Sequence, residues 1–158
     1  MDDTSKFHTV RGYQLLEQNK NLLTSAMEDY LEMIFRNSSD DGGIRINTLS
    51  ELLNVAASSA TKMVQKLSTL GLVNYKKYGI IILTENGRDI GKFLLQRHGI
   101  IELFLKNIGV TDDVLVETEL IEHNITAATL QKINLFNKFL EKNPIILAQY
   151  SQFAKYFL

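Results

Sequence analysis

Residues 58–84 read SSATKMVQKLSTLGLVNYKKYGIIILT, and the hydrophobic period changes once inside this stretch. Up to Leu70 the apolar residues recur at three- and four-residue intervals. Ala60, Met63, Val64, Leu67 and Leu70 form a single stripe, as expected of a helix with one buried face. After Gly71 the runs LVNY and IIILT are β-branched or aromatic, and Lys76-Lys77-Tyr78-Gly79 lies between them, which predicts a hairpin. Upstream, Thr48 and Glu51 have the spacing of a capping box for a short helix through Leu53. A turn of small residues, Asn54 to Ala57, then leads into the helix over about 58–70. Two helices joined by a tight turn and followed by a hairpin predict a helix-turn-helix with a wing.

Helical periodicity continues on both sides. Ser25 and Glu28 have capping-box spacing, and Met27, Tyr30, Leu31, Ile34 and Phe35 recur on one face up to the NSSDDGG loop. The preceding residues 1–24 form a polar extension whose Tyr13, Leu15 and Leu16 suit a docking helix. Downstream, Thr84 is placed to cap a long helix reaching about Asn107. Its apolar residues, among them Ile90, Leu94, Ile101 and Leu105, exceed what a small winged lobe can cover. Thr111, with Asp112 and Asp113 behind it, predicts a helix through His123, and Thr126 predicts another to about Lys142. Pro144 sets off an aromatic-rich tail. The expected fold class is mainly α: an N-terminal winged helix-turn-helix with a small β-hairpin wing, then an all-helical dimerisation domain. The expected boundaries are an N-terminal extension 1–24, a DNA-binding domain 25–84, a helical metal-binding and dimerisation domain 85–142, and a helical tail 143–158.

Composition limits the chemistry. A chain of 158 residues, 45% of them hydrophobic, can bury one ordinary core or two small lobes that share a long helix. No apolar run reaches the roughly 18 residues of a membrane span, and the start MDDTSKFHTV lacks a basic-then-apolar leader pattern, so the cytoplasm is the expected compartment. The chain has no cysteine, which excludes disulfides and thiolate metal sites and leaves oxygen and imidazole nitrogen as metal donors. The net charge of −1 conceals an asymmetry. Nine of the 17 Lys and Arg but only four of the 18 Asp and Glu lie between Arg45 and Lys106. A basic lobe of this kind is the footprint expected for phosphate contact.

Opposite the buried stripe of the second helix of the helix-turn-helix lie Ser58, Ser59, Thr61, Lys62, Gln65 and Lys66. These short donors, an amide and two cations suit the major groove of double-stranded DNA, and Lys76 and Lys77 of the wing extend the basic surface. Metal-capable side chains also cluster at helical spacing. Asp29 and Glu32 share a helix face, as do Glu119, Glu122 and His123, and His98 stands alone on the long helix between them.

The segments SAMEDYLEMIF, SSATKMVQKLSTLGLV, LTENGRDIGKFLLQRH and ELIEHN, in this order, resemble the DtxR/MntR family of metal-dependent repressors over about residues 25–142. The resemblance implies a homodimeric winged-helix repressor of metal homeostasis, bound to a palindromic operator of metal-uptake genes. It further implies two Mn(2+) ions per subunit at Asp29, Glu32, His98, Glu119, Glu122 and His123. The iron-type branch usually has methionine and cysteine where this chain has Asp29 and Glu119. Hard carboxylates in their place suit manganese, although other divalent metals can occupy such sites in vitro. Asn124 departs from the family pattern, since the manganese branch often has a second histidine there. Without the SH3-like domain of longer iron-type members, the architecture is expected to follow the manganese branch. Rival readings are a winged-helix regulator responding to iron, to another divalent metal or to a small organic ligand, and a carboxylate-bridged metalloenzyme suggested by Glu-x-x-Glu-His. No nucleophile motif or phosphate-binding glycine loop accompanies that last pattern, so no enzymatic activity is expected.

Overall fold

The computed structural model describes residues 3–19, 22–38 and 42–157, with the side chains of 3–10 and 77 outside the description. The elements run α1 (Asp3–Gln18), α2 (Ser25–Asn37), β1 (Ile44–Arg45), α3 (Ile46–Leu52), α4 (Ala57–Thr69), β2 (Val73–Lys76), β3 (Ile80–Leu83), α5 (Glu85–Asn107), α6 (Val114–Glu122), α7 (Ala127–Lys142) and α8 (Pro144–Phe157). They form two compact units, Met1–Leu95 and Gln96–Leu158, and α5 belongs to both. Among the described residues no helix is long and apolar enough to cross a membrane.

In the first unit α3 and α4 make the predicted helix pair. Asn54 takes a left-handed conformation (φ 52°) at the turn, and the amides of Asn54 and Val55 bond back to the carbonyls of Glu51 and Ser50. Asparagine tolerates this conformation, so α3 stops cleanly and the chain reverses into α4. Helix α4 ends in the same way. Gly71 sits at φ 71°, its amide meets Ser68 O, and the Leu72 amide meets Leu67 O, so the chain leaves directly into β2. The hairpin forms as read from the sequence, with Val73 opposite Leu83 and Tyr75 opposite Ile81, and residues 77–79 fold as a 3-10 turn at its tip. A third strand was not foreseen: β1 pairs antiparallel with β3, Ile44 opposite Ile81, giving the order β1-β3-β2. Leu31 and Ile34 of α2, Leu49 of α3, Val64 and Leu67 of α4, Ile81 of β3 and Ile90 of α5 are fully buried and form the core.

Three helix starts differ from expectation. The cap of α2 is Thr24, whose hydroxyl accepts from the Met27 amide at 3.3 Å, so Ser25 and Glu28 lie inside the first turn and form no capping box. Helix α3 begins at Ile46, directly after β1, with no side-chain cap, and Thr48 lies within it. Helix α6 begins at Val114 because Asp113 is left-handed (φ 52°), so Thr111 does not open it. Thr84 and Thr126 cap α5 and α7 as expected, accepting from the amides of Gly87 (3.1 Å) and Thr129 (3.3 Å).

The N-terminal extension is helical. Gly12 of α1 lies so close to α5 that a Cβ there would collide with the Asp89 carbonyl oxygen and the Phe93 side chain. Arg11 pairs with Glu85 (2.9 Å) and Asp89 (3.1 Å), Tyr13 packs against Phe93 with ring centroids 5.8 Å apart, and Leu16 is buried. In the second unit Asn137 of α7 is buried. It donates to the carbonyl of Ile100 at 2.9 Å and accepts from the Asn107 amide at 3.1 Å, fastening α7 to α5 beside the buried Ile101 and Leu105.

Candidate functional site

Helix α4 presents the predicted polar face. Ser58, Ser59, Lys62, Gln65 and Lys66 are exposed, while Ala60, Val64 and Leu67 are buried beneath them. Thr61 is only half-buried, and its hydroxyl donates to the Ala57 carbonyl at 2.9 Å, which limits it to accepting from a ligand. Met63 and Leu70, expected in the buried stripe, are half-buried. Among the described residues no side chain caps the start of α4 at Ala56, and the Ser59 and Ala60 amides bond the Ala56 carbonyl. Lys76 is exposed at the end of β2, and the Lys77 side chain lies outside the description. Tyr78 joins them at the wing tip, 90% exposed in a left-handed conformation (φ 65°). Sequence reading passed over it, because an aromatic residue in a turn carries no local signal of its exposure.

The metal-capable residues fall on three helices. In the first unit Asp29 and Glu32 stand one turn apart on α2. Asp29 is exposed, whereas Glu32 is 9% exposed and bonds the Arg36 guanidinium at 2.7 Å. Tyr30 between them turns inward, and burial raises its phenol above the ordinary value, so it stays neutral.

In the second unit α5 and α6 bring together three of the predicted donors. Glu122 is 2% exposed, one carboxylate oxygen lies 3.0 Å from Nδ1 of His98, and the other lies 3.8 Å from Nε2 of His123. His98 and Glu122 are 24 positions apart in sequence, so their approach is a product of packing. Glu119, one turn earlier on α6, is exposed. Sequence reading also missed Arg97, which is 4% exposed with a guanidinium nitrogen 3.4 Å from Nδ1 of His123. Its available signal was an arginine beside His98 on a helix rich in buried apolar residues.

A buried carboxylate flanked by two imidazoles offers one hard oxygen ligand and two borderline nitrogens to a first-row divalent ion, with no sulfur to favour softer metals. The donors therefore fit such an ion.

Known proteins carry the same two-part pattern. Residues 22–81 match the model described as the iron dependent repressor, N-terminal DNA binding domain. Residues 84–148 match its metal binding and dimerisation domain. The HTH-type transcriptional regulator MntR of Lysinibacillus sphaericus (strain C3-41) is 38% identical over 125 residues, covering 78% of this chain and 90% of that relative. MntR of Bacillus subtilis (strain 168) is 37% identical over 123 residues, covering 77% and 87%. Among solved structures, the manganese regulator SloR aligns with a TM-score of 0.63 at 30% identity. A manganese-dependent transcriptional repressor in complex with manganese aligns with 0.62 at 31%. Each alignment covers 72% of this chain and about half of the other, 54% and 53%. With both domain models matched in order and relatives this similar over most of their length, the chain belongs to the iron-dependent repressor family of transcriptional regulators, with that family's DNA-binding domain followed by its metal-binding and dimerisation domain.

Proposed function

We propose that the chain is a manganese(II)-dependent, DNA-binding transcriptional repressor that works as a homodimer in the cytoplasm on a palindromic operator, with metal-uptake genes as its targets. The observation that carries this reading is the buried Glu122 carboxylate, 3.0 Å from His98 and 3.8 Å from His123. Enclosing a carboxylate is costly unless positive charge accompanies it, and this donor set suits a divalent ion held by oxygen and nitrogen. Relatives named MntR and the solved manganese regulators add support.

In this reading Asp29, Glu32, His98, Glu119, Glu122 and His123 hold two ions per subunit. When bound, the ions would supply positive charge to the four carboxylates of this set. Asp29 and Glu32 belong to one unit and the other four to the second, so sharing the ions restricts the two units to one orientation. In a two-fold dimer that orientation sets the spacing of the two α4 helices, which must meet half-sites about one helical turn, ~34 Å, apart. Ser58, Ser59, Thr61, Lys62, Gln65 and Lys66 then face the major groove, and Lys76 and Lys77 reach the backbone.

Fluorescence anisotropy on a palindromic promoter fragment tests the switch. Binding is expected to be at least ~10-fold tighter with manganese than after exhaustive chelation, within the range common for coupled sites. Equal affinity in both conditions overturns it.

A further inference from the structure

Three glycines lie in α5, and packing explains two of them. A Cβ on Gly87 would meet the Leu72 carbonyl oxygen, and one on Gly91 would meet the Phe35 side chain, so neither position admits a larger residue. Gly99 is different. It is exposed, it lies inside the helix, and nothing stands within 4 Å of a Cβ added there, so alanine would fit without strain. Gly71 and Gly109 also face open space, but they sit at φ 71° and 95°, which favours glycine at a helix end. Neither packing nor backbone conformation calls for glycine at 99, and its effect there is to weaken the helix locally.

We propose that Gly99 is a built-in soft point of α5, which lets the metal-free chain vary the direction of the helix that its two units share. The helix is fastened on either side of this residue. Before it, Ile90 and Leu94 are fully buried in the first unit, and Arg11 of α1 holds Glu85 and Asp89. After it, the Asn137 amide donates to the Ile100 carbonyl at 2.9 Å, and Ile101 and Leu105 are buried in the second unit. The side chains that reach across the soft point include Glu122, 3.0 Å from His98, and His123, 3.4 Å from Arg97. An ion held by His98 and Glu122 would therefore bridge it. A ligand shifts an equilibrium only where it distinguishes two populated states, and a softer α5 lowers the metal-free share of the state that binds DNA. The inference rests on the metal-dependent reading above and assigns Gly99 the size of the response.

Hydrogen–deuterium exchange on the unaltered full chain in chelator reads the soft point without any variant. The amides of residues 99–103, whose helical hydrogen bonds span Gly99, are expected to be less protected than those of residues 91–95. Gly99→Ala should restore their protection. In anisotropy on the palindromic fragment it should also tighten metal-free binding by up to about 5-fold, the ~1 kcal/mol between glycine and alanine in a helix at 1.4 kcal/mol per tenfold. Manganese-saturated binding should move by less than ~2-fold, so the variant responds less to the metal than the parent does. Even protection along α5 in the parent, or an alanine variant whose metal-free affinity equals the parent's, overturns the inference and leaves the metal switch standing. A variant that loses self-association in sedimentation would show that Gly99 makes room for a second copy, and the inference fails. If the parent binds DNA equally with and without manganese, the switch itself is wrong and Gly99 has nothing to regulate.

Discussion

The two units differ in how many large apolar side chains their helices leave exposed. In the first, the large apolar residues of α2, α3, α4 and β3 that face inward are closed over within the chain, with Leu31, Leu49, Leu67 and Ile81 fully buried. In the second, Leu115 and Leu120 of α6, Leu135 and Phe136 of α7 and Phe153 of α8 remain 44–64% exposed. The polar groups follow the same division. The first unit pairs Arg11 with Glu85 and Asp89, whereas the second buries Glu122 between two imidazoles. The second unit therefore has an apolar surface suited to another subunit and a buried carboxylate suited to a cation.

The largest effect should separate these two kinds of apolar residue. Leu67→Ala removes a fully buried side chain and should destabilise the chain by about 2–5 kcal/mol in denaturant unfolding, independent of protein concentration. Leu135→Ala removes a side chain that is 64% exposed, and should shift monomer stability by only about 0.5 kcal/mol while weakening self-association. Equal losses at every concentration would break the comparison, because Leu135 would then behave as a core residue.

Next in size is the cation. Glu122→Gln keeps the shape of the side chain but removes the buried charge facing His98 and His123. Calorimetric titration with manganese should show a loss of affinity beyond the ~10–100-fold that follows removal of a mere supporting partner. The unfolding midpoint in chelator should fall as well, since the variant removes one partner of the buried Glu122–His98 pair, and it is read separately from the metal affinity. An unchanged metal affinity would make Glu122 a structural residue.

How far each unit could be read from the sequence follows the same division. The turn at Asn54, the exit at Gly71 and the hairpin depend on local chemistry, so the helix-turn-helix and wing were legible. Strand β1 is only two residues long and exists because Ile44 finds Ile81, a long-range pairing without a local mark. That pairing also explains the misread start of α3: the chain is held extended through Arg45 and turns helical at once, so the Thr48–Glu51 pattern falls inside the helix. At α6 the local signal itself misled, because Thr111 and the two aspartates favour a turn as much as a cap, and Asp113 takes the left-handed option. In the candidate site, the helical spacing of Glu119, Glu122 and His123 was visible. The approach of His98 and the burial of Arg97 depend on how α5 and α6 pack, which no spacing encodes.

A smaller effect is expected on the DNA face. Lys62 is exposed on α4, so Lys62→Ala should leave unfolding unchanged and lower the magnitude of the slope of log affinity against log salt by about one, as loss of one phosphate contact does. A steady slope with weaker binding would instead place Lys62 on a base edge.

The smallest difference compares one type of residue in both units. Thr84 and Thr126 each accept a first-turn amide, so replacing either with alanine should cost on the order of 1 kcal/mol. The surroundings of the two hydroxyls differ. Thr84 Oγ1 also lies 2.8 Å from the Gly71 carbonyl and 3.0 Å from that of Leu72, so its proton links the start of α5 to the exit from α4 into β2. Among the described residues, Thr126 Oγ1 meets in addition only the neighbouring Thr129 hydroxyl, at 3.1 Å. Thr84→Ala should therefore cost more than Thr126→Ala by about the ~1 kcal/mol net value of a hydrogen bond. Thr84→Ser should restore most of that difference, because the hydroxyl is what joins the wing to the long helix. Equal costs for the two alanine variants would mean that the Gly71 carbonyl is satisfied without the Thr84 hydroxyl, since the Leu72 carbonyl keeps the backbone amide of residue 84 in either case.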